Sequence, residues 1–137
     1  MSDKNLLPVA PADLREIWLQ IRAEVATVEA PEGLLPEDVY ASCRSAEATL
    51  FLLMVDGQRI GWMVLRKLGY DLHVWLLYAK PGYDPLALFE QEMMEMARRA
   101  DTRKITFGSA RRGWEKYALK HGCRVRMVVY ERDVAPA

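Results

Sequence analysis

Apolar side chains recur at helical spacing in two long stretches of this sequence. Residues 11–30 and 84–100 each carry one apolar face. A proline and an acidic pair at capping-box spacing open the first stretch, and Asp84 followed by Pro85 opens the second. We therefore predict two long helices, with Asp84 as the N-cap of the second. Shorter helices are predicted over 36–46, beginning at Pro36, and within 111–122, with Gly122 beyond the C-terminus of that helix.

Most of the remaining sequence has the composition of β-strands. Runs of β-forming residues over 50–55 and 58–67 flank Asp56-Gly57, a dipeptide typical of a tight hairpin. The run 50–55 is apolar without alternation, which is typical of a strand covered on both faces. Further strands are predicted over 5–9, where Pro8 limits pairing to an edge, and over 72–80, 104–110 and 123–134.

The strand over 72–80 carries one histidine among apolar residues. Strict alternation places His73 on one face with Trp75 and Leu77. Val74 and Leu76 then lie on the opposite face. A lone histidine in such a strand is usually structural, but it is also a candidate base.

The predicted order is β-α-α-β-β-β-α-β-α-β. It combines an antiparallel meander with a helical crossover, which predicts an α/β protein with helices on both faces of one mixed sheet. No linker or repeat interrupts the pattern, so we predict a single domain over residues 1–137.

Charge and composition narrow the function classes. Nineteen basic residues balance nineteen acidic ones among 137, so no global basic field favours a nucleic-acid partner. A local basic patch remains open, formed by Arg98, Arg99, Arg103, Lys104, Arg111 and Arg112. The sequence shows no signal-peptide pattern and no apolar run long enough for a membrane span, which predicts a cytoplasmic protein.

The cysteines and histidines do not suggest a metal site. Cys43 and Cys123 are far apart, and with His73 and His121 they form no ligand spacing. We expect both thiols to be reduced and buried.

The element order and three segments resemble the GNAT superfamily of acetyl-coenzyme A-dependent N-acyltransferases. "VAPADLREIW" is similar to that family's first strand and helix, and "LFLLMVDGQRIGWMVLRK" to its central strand pair. "KYALKHGCRVRMVVYERDV" is similar to its last helix, the terminal glycine and the following strand. The resemblance implies a GNAT-like fold with a mixed sheet of about six to seven strands and a bulge near Tyr78.

A narrower resemblance concerns the segment "RRGWEKYALKHGCR". It is similar to small GNAT-like proteins of bacteriophages and prophages, some of them virion components without an assigned reaction. This resemblance implies a protein partner in a virion or in the host, and a location in the host cytoplasm or the virion.

The family's cofactor loop corresponds to the turn before the helix that Asp84 opens. The resemblance implies cofactor-binding positions at Tyr78, Lys80, Gly82 and Tyr83. Glycines and free backbone N–H groups normally cradle the pyrophosphate at such a turn. Here Tyr83 is bulky, Asp84 is an acidic N-cap and Pro85 lacks an N–H group. We therefore expect a self-capped turn in which only Lys80 and Gly82 suit an anion.

The general acid of many family members is a tyrosine four residues before the terminal glycine of the last helix. Ala118 occupies that position, and Tyr117 is adjacent. One residue along a helix rotates a side chain by about 100°, so Tyr117 is either a packing residue or a displaced general acid. Other open assignments are a base at Glu47 or His73 and a nucleophile at Cys123, with His121 beside it.

Arg111, Arg112 and Trp114 cluster where the last helix is predicted to begin. The cluster is either a partner or anion site or a solvated helix start.

Two hypotheses follow. In the first, the chain is a GNAT-fold binding or assembly module that uses no cofactor. In the second, it is an active acetyl-CoA-dependent N-acyltransferase with an atypical cofactor loop.

Overall fold

The computed structural model describes residues 3–28, 35–108 and 113–135. Its helices and strands are, in chain order, β1 (Lys4–Pro8), α1 (Leu14–Thr27), α2 (Pro36–Arg44), β2 (Thr49–Val55), β3 (Gln58–Leu68), β4 (Asp71–Ala79), α3 (Pro85–Leu88), α4 (Glu90–Arg99), β5 (Lys104–Phe107) and α5 (Gly113–Lys120). The strands form one five-stranded sheet in the order β1-β2-β3-β4-β5.

The sheet is mixed, as predicted. The first four strands pair antiparallel with their chain neighbours, whereas β4 and β5 pair in parallel after the α3–α4 crossover. The hairpin between β2 and β3 turns at Asp56 (φ +50°) and Gly57 (φ +77°). Two-residue hairpin turns often need positive φ at both central positions, and Asp-Gly is one of the pairs that adopt this geometry readily.

Helices cover both faces of the sheet, so the predicted layer arrangement is confirmed. On one face, α1 and α2 pack on the sheet through Trp18, Ile21 and Cys43, among others. On the other, Phe89 and Met93 anchor the crossover helices. β2 contributes Leu52 to the first cluster and Leu53 to the second, which explains why its sequence is apolar without alternation.

The sequence prediction of six to seven strands is wrong for the described residues, which form five. Residues 123–135 form neither helix nor strand, although 123–134 have a strand-like composition. Arg126 holds the segment to Asp71 at the start of β4 by an ion pair of 2.5 Å, while the side chain of Tyr130 is 90% exposed. β-forming residues make a strand only where a partner edge lies in register, because most of their preference comes from packing on neighbours.

The structure departs from the predicted elements at two places, the helix after β4 and β4 itself. The helix predicted over 84–100 is interrupted at Phe89 (φ −115°, ψ 18°), whose buried ring anchors the junction of α3 and α4. In β4, Val74 pairs with Leu65 and Leu76 with Val64, so Trp75 is an extra residue in a β-bulge.

No described helix has both the length and the apolar character needed to cross a membrane.

Candidate active site

The candidate residues gather where the parallel strands β4 and β5 separate. Their pairing ends at Val74 and Phe107, but β4 continues for five residues, through Ala79. The bulge at Trp75 follows the last pair directly, and a bulge bends and twists its strand. In the described part of the chain, β4 therefore leaves β5 and opens a cleft at the carboxyl ends of the two strands.

The cleft has a volume of about 390 Å³. Apolar and aromatic side chains dominate its walls, and the lining residues are Leu77, Ala79, Tyr83, Pro85, Gly113, Trp114 and Tyr117. A smaller hollow of about 250 Å³ adjoins it, between β4 and the end of α1 at Thr27 and Val28. The larger cleft is within the size range of small-molecule sites, which commonly combine apolar walls with a few polar groups.

The bulge also changes which side chains of β4 share a face. Trp75 and Leu76, adjacent in sequence, both lie in the core cluster under α1 and α2. Leu77 packs against the opposite cluster together with Val74. The expected grouping of Trp75 with Leu77 is therefore wrong, because strict alternation does not hold across an extra residue. The bulge lies three residues before the position near Tyr78 that the family resemblance implied.

Tyr78 lies beside the cleft but packs on β3. Its ring stacks on Trp62 with centroids 5.8 Å apart and planes at 14°. The backbone of the two strands is unusually close here, because a Cβ atom added to Gly61 would lie 2.1 Å from the Tyr78 carbonyl oxygen. Tyr78 therefore fixes the position of the β4 end through contacts with both Trp62 and Gly61.

The turn after β4 is closed by its own backbone. The Lys80 N–H donates to the Ile60 carbonyl at 2.8 Å, and the Tyr83 N–H donates to the Lys80 carbonyl at 3.3 Å. Pro81 in the second position and Gly82 with φ +91° in the third match a type II turn. The glycine thus serves the turn geometry.

Asp84 links the start of α3 to α5. Its Oδ1 accepts a hydrogen bond from the Ala87 N–H at 3.3 Å, which confirms the predicted N-cap. The same oxygen accepts from the hydroxyl of Tyr117. Oδ2 lies 3.1 Å from Nε2 of His121, and because a carboxylate only accepts, that nitrogen carries the hydrogen. One carboxylate therefore has three protein donors.

The first amides of α3 are also committed to protein acceptors. Pro85 has no N–H group, and the Leu86 N–H donates to the Tyr117 hydroxyl oxygen at 3.4 Å. The Leu88 N–H donates to the Asp84 carbonyl at 3.0 Å. A pyrophosphate at this turn would need these amides and would meet the Asp84 carboxylate. The turn as arranged does not fit that group, and among the described residues the cleft beside β4 is the neighbouring space where a ligand could bind.

The surroundings of Asp84 and Tyr117 shift the pKa values of both side chains in opposite directions. Burial raises the pKa of Asp84, but the hydrogen bonds from Tyr117 and Ala87 and the nearby His121 outweigh it, so the pKa is lowered overall. Burial, and then the hydrogen bond to the carboxylate, raise the pKa of Tyr117 well above its usual range. Asp84 is thus ionised and Tyr117 protonated at neutral pH.

Trp114 positions Tyr117 on the cleft wall. The two rings meet edge to face with centroids 5.2 Å apart, and Trp114 also contacts Phe107 at the end of β5. This gives Trp114 a packing role beside its predicted place in a partner patch. Arg111 and Arg112, the other members of that patch, lie outside the described residues.

The remaining sequence candidates do not join the cleft. Nδ1 of His73 lies 2.8 Å from the Thr106 hydroxyl in the paired part of β4 and β5. Glu47 precedes β2, which begins at Thr49. Thr49 pairs with Leu65, and Leu65 pairs with Val74, so Glu47 lies away from the end of the sheet that contains Tyr78. His121 contacts Asp84, and burial raises the pKa of the Cys123 thiol, so neither residue is poised for a nucleophilic role.

Both cysteines are free, and the described residues contain no group of three or more His, Cys, Asp or Glu side chains that could hold a metal ion.

Sequence reasoning missed two polar clusters. His121, directly after the end of α5, lies four residues after Tyr117, a spacing that brings side chains together at a helix end and could have revealed their common partner. Glu24 on α1 accepts from the indole N–H of Trp62 and from Arg59, both at 3.0 Å. Nothing in the local sequence indicates the contacts of Glu24, which join residues 35 and 38 positions apart.

The sequence matches no protein-family model and no curated protein. Solved acetyltransferases, however, share its fold. An aminoglycoside N-acetyltransferase, AAC(6')-Iy in complex with CoA, aligns with a TM-score of 0.65 at 13% identity, covering 98% of this chain and 97% of that one.

Two further structures agree. A ribosomal-protein-alanine N-acetyltransferase from Brucella melitensis biovar Abortus aligns with a TM-score of 0.64 at 14% identity over 100% of both chains. An acetyltransferase of Trypanosoma brucei aligns with a TM-score of 0.60 at 17% identity, over 96% of this chain and 100% of that one. The chain has a GNAT-like fold, which these structures share over at least 96% of its length.

Proposed function

We propose that this chain is an N-acyltransferase that transfers an acyl group from acetyl-coenzyme A to an amine. The observation that carries the proposal is the cleft beside the end of β4, which lies beyond the Trp75 bulge and which the side chain of Tyr117 lines. The fold shared with acetyltransferases supports the same reading.

The chain's own groups suit direct transfer. The thioester supplies an activated acyl carbon, which an amine can attack without a covalent enzyme intermediate. Beyond Val74 the β4 backbone turns an edge toward the cleft, and its N–H groups can polarise the thioester carbonyl. The C–N bond forms as the C–S bond breaks, the proton lost by the amine passes to solvent water, and the thiolate of the donor is the leaving group.

Tyr117 is the best candidate to protonate the departing thiolate. Its side chain lines the cleft, and its hydroxyl carries the proton at neutral pH. Burial and the hydrogen bond to Asp84 raise its pKa, so the hydroxyl is a weak acid as long as that bond persists. The Asp84 carboxylate receives that hydrogen in the observed arrangement. Transfer to the thiolate therefore requires the hydroxyl to turn from Asp84 toward the cleft.

A second candidate function is a binding or assembly module that performs no acyl transfer. The observation that favours it is the self-capped turn, in which Asp84 and Tyr117 already use the amides of Ala87 and Leu86. A protein partner, including a virion or host protein as the phage-type resemblance implies, belongs to this candidate.

Thermal unfolding with and without acetyl-CoA separates the two. The enzyme reading expects stabilisation of about 2.7 kcal/mol at a ligand concentration near one hundred times Kd. Ala79→Phe, which fills the cleft wall, should abolish the shift, whereas Ala41→Phe on the exposed side of α2 should preserve it. No shift with the unmodified protein at millimolar acetyl-CoA rejects the enzyme reading.

A further inference from the structure

We propose that the acyl donor is recognised through its pantetheine arm and acyl group, and that its diphosphate and nucleotide contribute little to binding. The donor class is then an acyl-pantetheine thioester, whether free or as part of coenzyme A. This inference rests on the proposed acyltransferase function and specifies its donor.

The amides that would hold a diphosphate already have acceptors. Those of Leu86, Ala87 and Leu88 donate to Tyr117, the Asp84 carboxylate and the Asp84 carbonyl, respectively. Freeing the Leu86 amide breaks a contact between α3 and α5, and freeing the Ala87 amide breaks the Asp84 cap of α3. A ligand that binds elsewhere in the cleft leaves these bonds intact.

The charges beside the turn disfavour a dianion. Asp84 places a carboxylate at the start of α3, and the only basic side chain between residues 78 and 91 is the exposed Lys80. His121 also lies near, but its Nε2 is directed at Asp84. A phosphate would therefore be repelled by a partly buried carboxylate, while the segment 78–91 offers it one solvated cation, which interacts weakly across water.

The cleft itself matches a pantetheine arm. Its walls include the apolar side chains of Leu77, Ala79 and Pro85. In the described part of the chain, the β4 edge beyond Val74 has no paired strand. The pantetheine arm alternates methylene groups with amides. Its methylene groups can pack against these walls, and its amides can form hydrogen bonds with the free edge of β4, as an added strand does.

The test compares three donors with the full-length protein: acetyl-pantetheine, acetyl-4′-phosphopantetheine and acetyl-CoA. Binding is measured by calorimetry at two salt concentrations. We expect the three Kd values to agree within about tenfold and to change little with salt. A site that holds the diphosphate by two charged hydrogen bonds would instead bind acetyl-CoA roughly 100-fold or more tighter than acetyl-pantetheine.

Asp84→Asn tests whether the Asp84 charge is what disfavours the diphosphate, because asparagine has nearly the same shape as aspartate. Removing the charge should strengthen acetyl-CoA binding relative to acetyl-pantetheine, whereas Glu90→Gln, an exposed carboxylate on α4, should leave the ratio unchanged. A preference for acetyl-CoA above tenfold in the unmodified protein overturns the inference and leaves the proposed function standing. Absence of binding by all three donors overturns the proposed function as well.

Discussion

Tyr117 on α5 donates its hydroxyl hydrogen to the Asp84 carboxylate at the start of α3, across 33 positions of sequence. The same hydroxyl oxygen accepts from the Leu86 N–H. A side chain of one helix thus completes the N-terminal cap of another, and both helices border the cleft. Stability of the cap and position of the cleft wall are therefore coupled.

Tyr117→Phe should lower the free energy of unfolding by about 1–2 kcal/mol. The change leaves the Asp84 carboxylate with one donor fewer and the Leu86 amide without its acceptor, while the ring contact with Trp114 persists. Urea unfolding measures the loss. Tyr130→Phe is the control, because that side chain is 90% exposed and should change nothing. Equal stability of the two variants would contradict the structural role of this bond.

The link between α3 and α5 should weaken in acid. The pKa of Asp84 is lowered in the folded state, so its stabilising contribution is complete above the ordinary carboxyl pKa of about 4. It is lost as pH falls through the lowered value. The stability advantage of the unmodified protein over Asp84→Asn should thus be greatest near neutral pH and disappear in strong acid. Urea unfolding from pH 7 into strong acid, well below the ordinary carboxyl pKa, checks this; an advantage that grew in acid would contradict the shift.

Gly61→Ala should destabilise the protein by at least about 2 kcal/mol. The added Cβ would lie 2.1 Å from the Tyr78 carbonyl oxygen, so β3 and β4 would have to separate beside the cleft. Gly113→Ala is the matched control, because nothing lies within 4 Å of its added Cβ. That change should be neutral or stabilising, since alanine favours helices. Thermal unfolding of both variants, with the donor-binding assay alongside, decides the matter.

Glu24→Ala should cost about 1–3 kcal/mol, far more than Glu37→Ala. Glu24 satisfies the indole N–H of the fully buried Trp62 and pairs with Arg59. Glu37 pairs with Arg22, but both side chains are more than half exposed, and such pairs contribute about 0–1 kcal/mol. Equal losses in denaturant unfolding would show that Glu24 acts only as a surface ion-pair partner.

Local pattern was sufficient for the elements that depend on local chemistry. The Asp56-Gly57 hairpin and the Asp84 cap are both confirmed, because each depends on backbone geometry within a few residues. The interruption at Phe89 and the unpaired segment 123–135 were missed, since each depends on packing or pairing partners that are distant in sequence.

The candidate site was predictable in location but not in detail. The turn at Lys80–Tyr83 was identified from its place between a strand and a helix, and Tyr117 from its offset before Gly122. Their connection through Asp84 and His121 depends on how α5 packs on α3, which no local spacing fixes. The roles of Tyr78, Lys80, Gly82 and Tyr83 toward a donor remain predictions that the binding assays test.

Because of the bulge at Trp75, the side chains that line the cleft depend on the number of residues in β4. Side chains of a strand alternate, so a strand shortened by one residue at this point would exchange the faces of everything beyond it. Tyr78 would leave Trp62 and turn to the opposite layer, while Leu77 would leave the cleft wall. Variation in this fold can therefore change the cleft without replacing any side chain that lines it, by inserting or deleting one residue in β4.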